Sequence, residues 1–274
     1  MFSSERPRMA TPEPSSATPA VDPNALAPST DRTFALLELL SQHPDGLTVA
    51  EMTRMLRIAQ NSVFRITKTL EARGYLFRHD RDKRYTLTGK LLRIAQPKVG
   101  GRNLVEEALP AMKRLRDETS ESLVLSVRSG HECVLILQVP ALHVMKVLWD
   151  MGTRTPLYNN ASGKVFLACA DEVTRGRLIE QQELVPRTGR TIIDREALLE
   201  HLLKARGLGY TTDRGEIIEG MHCVAAPVYG PEGEGAASLC MTGPAQRMPV
   251  SSFRSLGRLV VQAADAVSER LRNG

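Results

Sequence analysis

The sequence predicts a two-domain α+β chain: a small helical domain with a β-hairpin, then a larger mixed domain. Three observations carry that expectation. A length of 274 residues suits one large domain or two modest ones. Apolar residues recur at helical spacing up to about residue 73, and β-type runs first appear beyond it. The formal charge of +5 is also unevenly placed. Residues 31–95 hold twelve Lys/Arg against seven Asp/Glu, a net +5, whereas 96–274 hold 22 against 21 and are nearly neutral. A basic block of that kind attracts polyanions through counterion release.

Residues 1–30 contain six of the 16 prolines among Ser, Thr and Ala, too little apolar surface to offset the entropy of ordering, and are expected to form a disordered tail. A helix is expected from Thr33, with Phe34, Leu36, Leu37 and Leu40 on its inner face, ending at the breaker 43–46. Thr48 and Glu51 have the spacing of a capping box and open a second short helix through Met52, Met55 and Leu56. After a turn at 57–59, a third helix over 60–73 buries Val63, Ile66, Thr67 and Leu70 and is closed by Gly74. The β-type runs 75–79 and 84–87 flank a polar turn at 80–83. Helix, helix, turn, helix, hairpin is the order of a winged helix-turn-helix, placed at 31–88. A linker helix with a hinge at Gln96-Pro97 and Gly100-Gly101 is expected over 89–103.

The remainder, 104–274, reads as an amphipathic helix carrying Pro110, a hairpin of 122–128 and 133–139, and a strand at 144–149. Helices follow at 162–170, 172–181 and 195–207, then strands at 223–229 and 236–242 and a closing helix over 253–271. That order predicts an α+β sheet with helices on one or both faces. No stretch approaches the length of a membrane helix, and MFSSERPRMA lacks the apolar core of a signal peptide. Cys133, Cys169, Cys223 and Cys240 stand far apart without CxxC pairs, the usage of a reducing compartment. The cytoplasm is the expected location, with no membrane partner.

Particular motifs then become recognisable. LTVAEM (47–52), SVFR (62–65), TLEARGYL (69–76) and RYTL (84–87) lie in the first half. ASGKVFLA (161–168), RGLGY (206–210), CVAAPV (223–228) and TGPAQR (242–247) follow in the second. In this order and spacing the chain resembles the isocitrate lyase regulator (IclR) family of bacterial transcription regulators, from Asp31 to the C-terminus. The resemblance implies a winged-helix domain binding a double-stranded operator, and a GAF-like α+β domain at 104–274 for effector binding and oligomerisation. It further implies a small-molecule effector, an organic or aromatic carboxylic acid, and a homodimer or dimer-of-dimers tetramer. No cofactor is implied.

On the recognition helix, Gln60, Asn61, Ser62, Phe64, Arg65 and Lys68 occupy the start and outer face, where base readers sit. Asn and Gln match adenine edges and Arg matches guanine; Phe64 fits an interhelix position equally well. In the wing, Arg78, Arg81, Lys83, Arg84 and Tyr85 suit phosphates or the minor groove. The resemblance places the effector pocket around Ala161, Ser162, Asp213, Met221, Cys223, Cys240 and Thr242, with Val144, Val147, Trp149 and Met221 as apolar wall. Small residues opening a helix leave backbone N–H groups for a carboxylate. Gly163 and Lys164 are expected merely to start that helix and to pair on its surface.

Other chemistries weigh less. A Cys223 nucleophile with His222 as base is opposed by strand geometry, since neighbours point to opposite faces. Asp213, Glu216, His222 and Cys223 include metal-ligand types without paired spacing, so no metal is assigned. A regulator without an effector would leave the nearly neutral second domain without a task.

Overall fold

The computed structural model describes residues 19–22 and 24–273, which divide into two compact units, one ending at Ala95 and the other starting at Gln96. Most of the tail expected over 1–30 lies outside the described residues. What is described departs from that expectation. Val21 packs against the first unit's core, the Asp22 amide donates to Asp31 Oδ2 (2.9 Å), and residues 28–30 are already helical.

Helix α1 (Pro28–Ser41) starts earlier than the apolar pattern indicated because Pro28 suits a first helical turn, where its missing N–H costs nothing. Its inner face is Ala35, Leu36, Leu39 and Leu40; Phe34 is 60% exposed, so the expected stripe was rotated. Helix α2 (Val49–Leu56) opens on the Thr48–Glu51 capping box, both of its reciprocal bonds formed. Helix α3 (Gln60–Ala72) buries Val63, Ile66, Thr67 and Leu70 as its spacing predicts. Strands β1 (Leu76–Arg78) and β2 (Tyr85–Leu87) form the wing, and helix α4 (Lys90–Ala95) closes the unit.

The linker differs from the expectation. Only 90–95 is helical, and Gly100 and Gly101, with φ of 57° and 81°, turn a ribbon of β3 (Lys98–Val99) and β4 (Arg102–Asn103) in the second unit. They are the two positive-φ residues of a tight hairpin, just beyond the boundary between Ala95 and Gln96.

Six antiparallel strands form the second unit's main sheet in the order β7-β6-β5-β10-β9-β8. These are β5 (Ser122–Ser129), β6 (Glu132–Val139), β7 (Arg154–Pro156), β8 (Thr211–Asp213), β9 (Met221–Tyr229) and β10 (Gly235–Pro244). Helix α5 (Leu104–Thr119), which runs through Pro110 unbroken, and helix α9 (Phe253–Arg272) cover one face. Strand alternation sends Leu123, Leu125, Val224, Ala226, Leu239 and Met241 into that core. The intervening residues Val124, Cys223, Ala225 and Cys240 face helix α6 (Ala161–Cys169) on the other side. Helices α7 (Glu172–Glu180) and α8 (Arg195–Leu208) pack around α6. Among the described residues no helix is long and apolar enough to cross a membrane.

The strand expected at 144–149 does not form. Side chains satisfy this backbone in place of a ladder: Gln138 Nε2 donates to Val147 O (2.8 Å), and the Trp149 amide donates to Gln138 Oε1 (2.9 Å). Val144 is fully exposed and is no part of an apolar wall. The short edge strand β8 was not anticipated.

One close approach fixes the start of α6. A Cβ on Gly163 would lie 2.5 Å from Leu157 O, so only glycine lets the helix sit on that loop, while its amide donates to the Asn160 cap (2.7 Å). Overpacking costs roughly 1–3 kcal/mol, and a backbone neighbour cannot rotate aside. Gly163→Ala is expected to lower the denaturation midpoint of the second unit accordingly; an unchanged urea midpoint would show that α6 can shift.

Candidate functional site

Two assemblies hold the residues singled out above. In the first unit, Gln60, Asn61, Phe64, Arg65 and Lys68 are exposed and Ser62 is half-buried, all on the face of α3 away from its core. Phe64, equally compatible with an interhelix position, points outward at 49% exposure. Lys68 pairs with Glu71 (2.9 Å), whereas Arg65 makes no ion pair among the described residues. Within the wing, Arg81 and Lys83 stand exposed at the turn.

Two wing residues are otherwise engaged. Tyr85 is a core residue at 1% exposure, and its backbone exchanges two hydrogen bonds with Leu47, so it offers no side chain to a phosphate. Arg84 donates from Nη1 to Gly46 O (2.7 Å) and from Nη2 to Glu51 Oε1 (2.9 Å). It clamps the hairpin to the capping box of α2. Arg78 lies 5.8 Å from the Tyr85 ring centroid, a cation–π distance.

In the second unit a cavity of about 60 Å³ lies between the sheet and the start of α6. Ala161 and Ser162 come from the helix, Cys223 from β9, Cys240 and Thr242 from β10, and Asp213 and Met221 from neighbouring turns and strand ends. Val147 packs in the adjoining apolar cluster but does not line the space; Trp149 does. Sequence reasoning missed Ser126, Cys133, Thr153, Thr155 and Asn160, which also line it. The polar residue in the alternation of β5 was a readable sign for Ser126. Nothing local marked Thr153 or Thr155, which chain crossing brings in.

Burial dominates the electrostatics. Asp213 has no exposed surface; its Oδ1 accepts from the amides of Gly215 (2.9 Å) and Glu216 (2.7 Å), and its buried Oδ2 has no partner. Desolvation pushes its carboxyl up to about 7, with the Lys164 charge acting in opposition. Lys164 is not on the surface as expected. It is completely buried, its ammonium donates to Thr212 O (2.9 Å), and it pairs with Glu216, beside Asp213 in the same turn.

Burial raises the Cys133 thiol to about 12, and contact with the Cys240 thiol together with burial raises Cys223. These sulfurs are therefore thiols and not nucleophilic thiolates. His222 turns to the opposite face, where Nδ1 lies 2.8 Å from Met248 O and the ring stacks edge-on against Phe253. The cavity is thus a mostly apolar pocket lined also by hydroxyl-bearing residues, the start of α6 and the Asp213 side chain.

Comparison with known proteins gives consistent results over both units. Residues 29–80 match the IclR helix-turn-helix domain, and residues 96–269 match the bacterial transcriptional regulator IclR C-terminal family. The chain is 30% identical over 238 residues to the HTH-type transcriptional regulator BhcR of Paracoccus denitrificans, covering 87% of this chain and 85% of that protein. It is 28% identical over 258 residues to the HTH-type transcriptional repressor AllR of Escherichia coli, covering 94% of each. The fold is similar to Thermotoga maritima IclR, with a TM-score of 0.73 and 24% identity over 89% of this chain and 98% of that one. It is also similar to an IclR homologue from Microbacterium hydrocarbonoxydans complexed with 4-hydroxybenzoate, with a TM-score of 0.69 and 23% identity over 90% and 100%.

The Asp213 environment gives a pH signature. With a native value of about 7 against an ordinary 3.8, the folded chain retains a proton that the unfolded chain releases. This contribution to stability is present at low pH and is lost as pH rises from about 4 to about 7, with a slope of up to ~1.4 kcal/mol per pH unit. Asp213→Asn keeps an acceptor for the two amides and cannot ionise. Urea midpoints measured across that range should decline less in the variant than in the wild type; parallel curves would contradict the assigned environment.

Proposed function

The chain belongs to the IclR family of bacterial transcriptional regulators, and from that premise we propose that its first unit reads a duplex operator and its second senses a small organic acid. The observation that carries the sensor reading is the cavity itself: the start of α6 at Ala161 and Ser162, Thr242 and the Asp213 carboxyl line one partly open, mostly apolar space.

A carboxylate suits the start of α6, where backbone N–H groups and the helix dipole favour negative charge. Asp213 selects among acids. Ionised, it repels a second carboxylate; neutral, it donates to one. An acid carrying a hydroxyl satisfies both ends by accepting from α6 and donating to Asp213 Oδ2. Trp149 on the cavity wall offers a flat apolar face to the body of such an acid. The 4-hydroxybenzoate bound by the Microbacterium homologue supports the acid class.

In the first unit, the reading assigns base contacts to Gln60, Asn61, Ser62 and Arg65 of α3. Arg81 and Lys83 of the wing contact phosphates, as does Lys68 once released from Glu71. Arg84 is assigned a positioning role, because its guanidinium holds the wing in place. Two such heads in a homodimer, or four in a dimer of dimers, match a palindromic operator. Regulation by the acid requires only about 1–3 kcal/mol of differential affinity between the two states.

A panel of short hydroxy, keto and aromatic acids, scored by melting temperature and by fluorescence anisotropy of an operator duplex, tests the sensor reading. At least one acid should raise the melting temperature, by the equivalent of about 2.7 kcal/mol at a hundredfold excess over Kd, and shift operator affinity 5- to 150-fold. Insensitivity to the whole panel would reject it. Separately, Arg65→Ala should lose discrimination between operator and scrambled duplex while melting like the wild type. Unaltered discrimination would remove α3 from the interface.

A further inference from the structure

A groove of about 440 Å³ runs between α1 and α3, lined by Ser29, Arg32 and Thr33 on one side and Ser62, Arg65 and Thr69 on the other, over Ile66 and Leu70. The sequence reading assigned nothing to α1 except core. Two features of the groove are unbalanced. Arg32 and Arg65 both lack an ion pair and a side-chain hydrogen bond among the described residues, and Arg32 Nε is buried without any acceptor. A half-buried guanidinium without a counter-ion favours an incoming anion.

The hydroxyls are sorted as well. Thr33 and Thr69 donate back to their own helices, to Ser29 O and Arg65 O (2.8 Å each), which leaves the Ser29 and Ser62 hydroxyls for a ligand. At the start of α1, Pro28 has no N–H and the Thr30 and Asp31 amides bond Ala27 O (3.0 and 3.1 Å), so the first turn adds little to the groove. Two guanidinium groups and two hydroxyls around one groove are complementary to a phosphodiester, whose non-bridging oxygens match the guanidinium fork.

We infer that this groove seats a backbone phosphate of the operator beside the major groove that α3 enters, with Arg32 as its principal ligand. The inference rests on the assignment of α3 to DNA, because Ser62 and Arg65 belong to both surfaces. It adds α1 to the interface and makes Arg32 a positioning contact without base preference, since phosphate contacts fix register and carry no sequence information directly.

The test uses the full-length protein, a duplex selected from a randomised library and a scrambled duplex of the same length, titrated with potassium chloride. Arg32→Ala should weaken binding to both duplexes by the same factor, about tenfold at low salt. It should also flatten the log affinity against log salt by about 0.9 per bound chain. Arg32→Lys, which keeps the charge and the helix, should retain the slope, so the inference stays testable even if the alanine variant folds poorly. If Arg65→Ala loses discrimination while both Arg32 variants keep the wild-type affinity and slope, the α3 assignment stands and the phosphate seat is wrong. A loss confined to the selected duplex would also overturn the seat, because it would make Arg32 a base reader. If Arg65→Ala behaves as wild type, the α3 assignment on which the seat rests fails with it.

Discussion

The second unit depends on one buried ammonium. Lys164 leaves the first turn of α6 and reaches across the interior to Thr212 O and the Glu216 carboxylate, with no surface exposed. Taking two charges out of water is costly unless each finds its partner in good geometry, so this pair specifies an arrangement more than it adds stability. It fixes α6 against the edge strand β8 and the turn that follows. That turn presents the Gly215 and Glu216 amides to Asp213 Oδ1 and leaves Oδ2 buried without a partner. The cavity's acidic corner is therefore held by an ion pair whose residues do not line the cavity.

Gly163 and Lys164 work together. The absence of a Cβ at Gly163 lets α6 settle on Leu157 O, and that seating brings Lys164 to Thr212. The sheet's alternation does the rest. Cys223, Cys240 and Thr242 enter the cavity because Val224, Leu239 and Met241 are committed to the α5–α9 core. The same geometry separates His222 from Cys223, and with the thiols protonated the cysteines serve as small apolar lining.

A comparable tie organises the wing. Arg84 links the hairpin to Gly46 O and to Glu51, which is itself engaged with Thr48 in the cap of α2. Tyr85 fills the core beneath. Charge alone marked Arg84 as a phosphate ligand, and only the position of Glu51, 33 residues away, shows where the guanidinium goes. The reverse holds for Arg32, which sequence placed on an apolar helix and the fold sets beside the recognition helix.

Local rules made much of this protein legible. The capping box, the buried stripe of α3, the hairpins β1–β2 and β5–β6, the helices α6 to α9 and the confinement of charge to residues 31–95 follow from periodicity, turn chemistry and composition. The family likeness supplied seven of the sixteen residues that line the cavity, including Asp213, Cys223 and Cys240. Beyond reach were the start of α1 at Pro28, the loop at 144–149 and the edge strand β8, each decided by partners distant in sequence. The burial of Lys164 and the orphaned oxygen of Asp213 were beyond reach for the same reason. A sequence determines which residues prefer water and at what spacing. Which charged group loses its water, and what replaces it, is decided only when elements far apart in the chain close on one another.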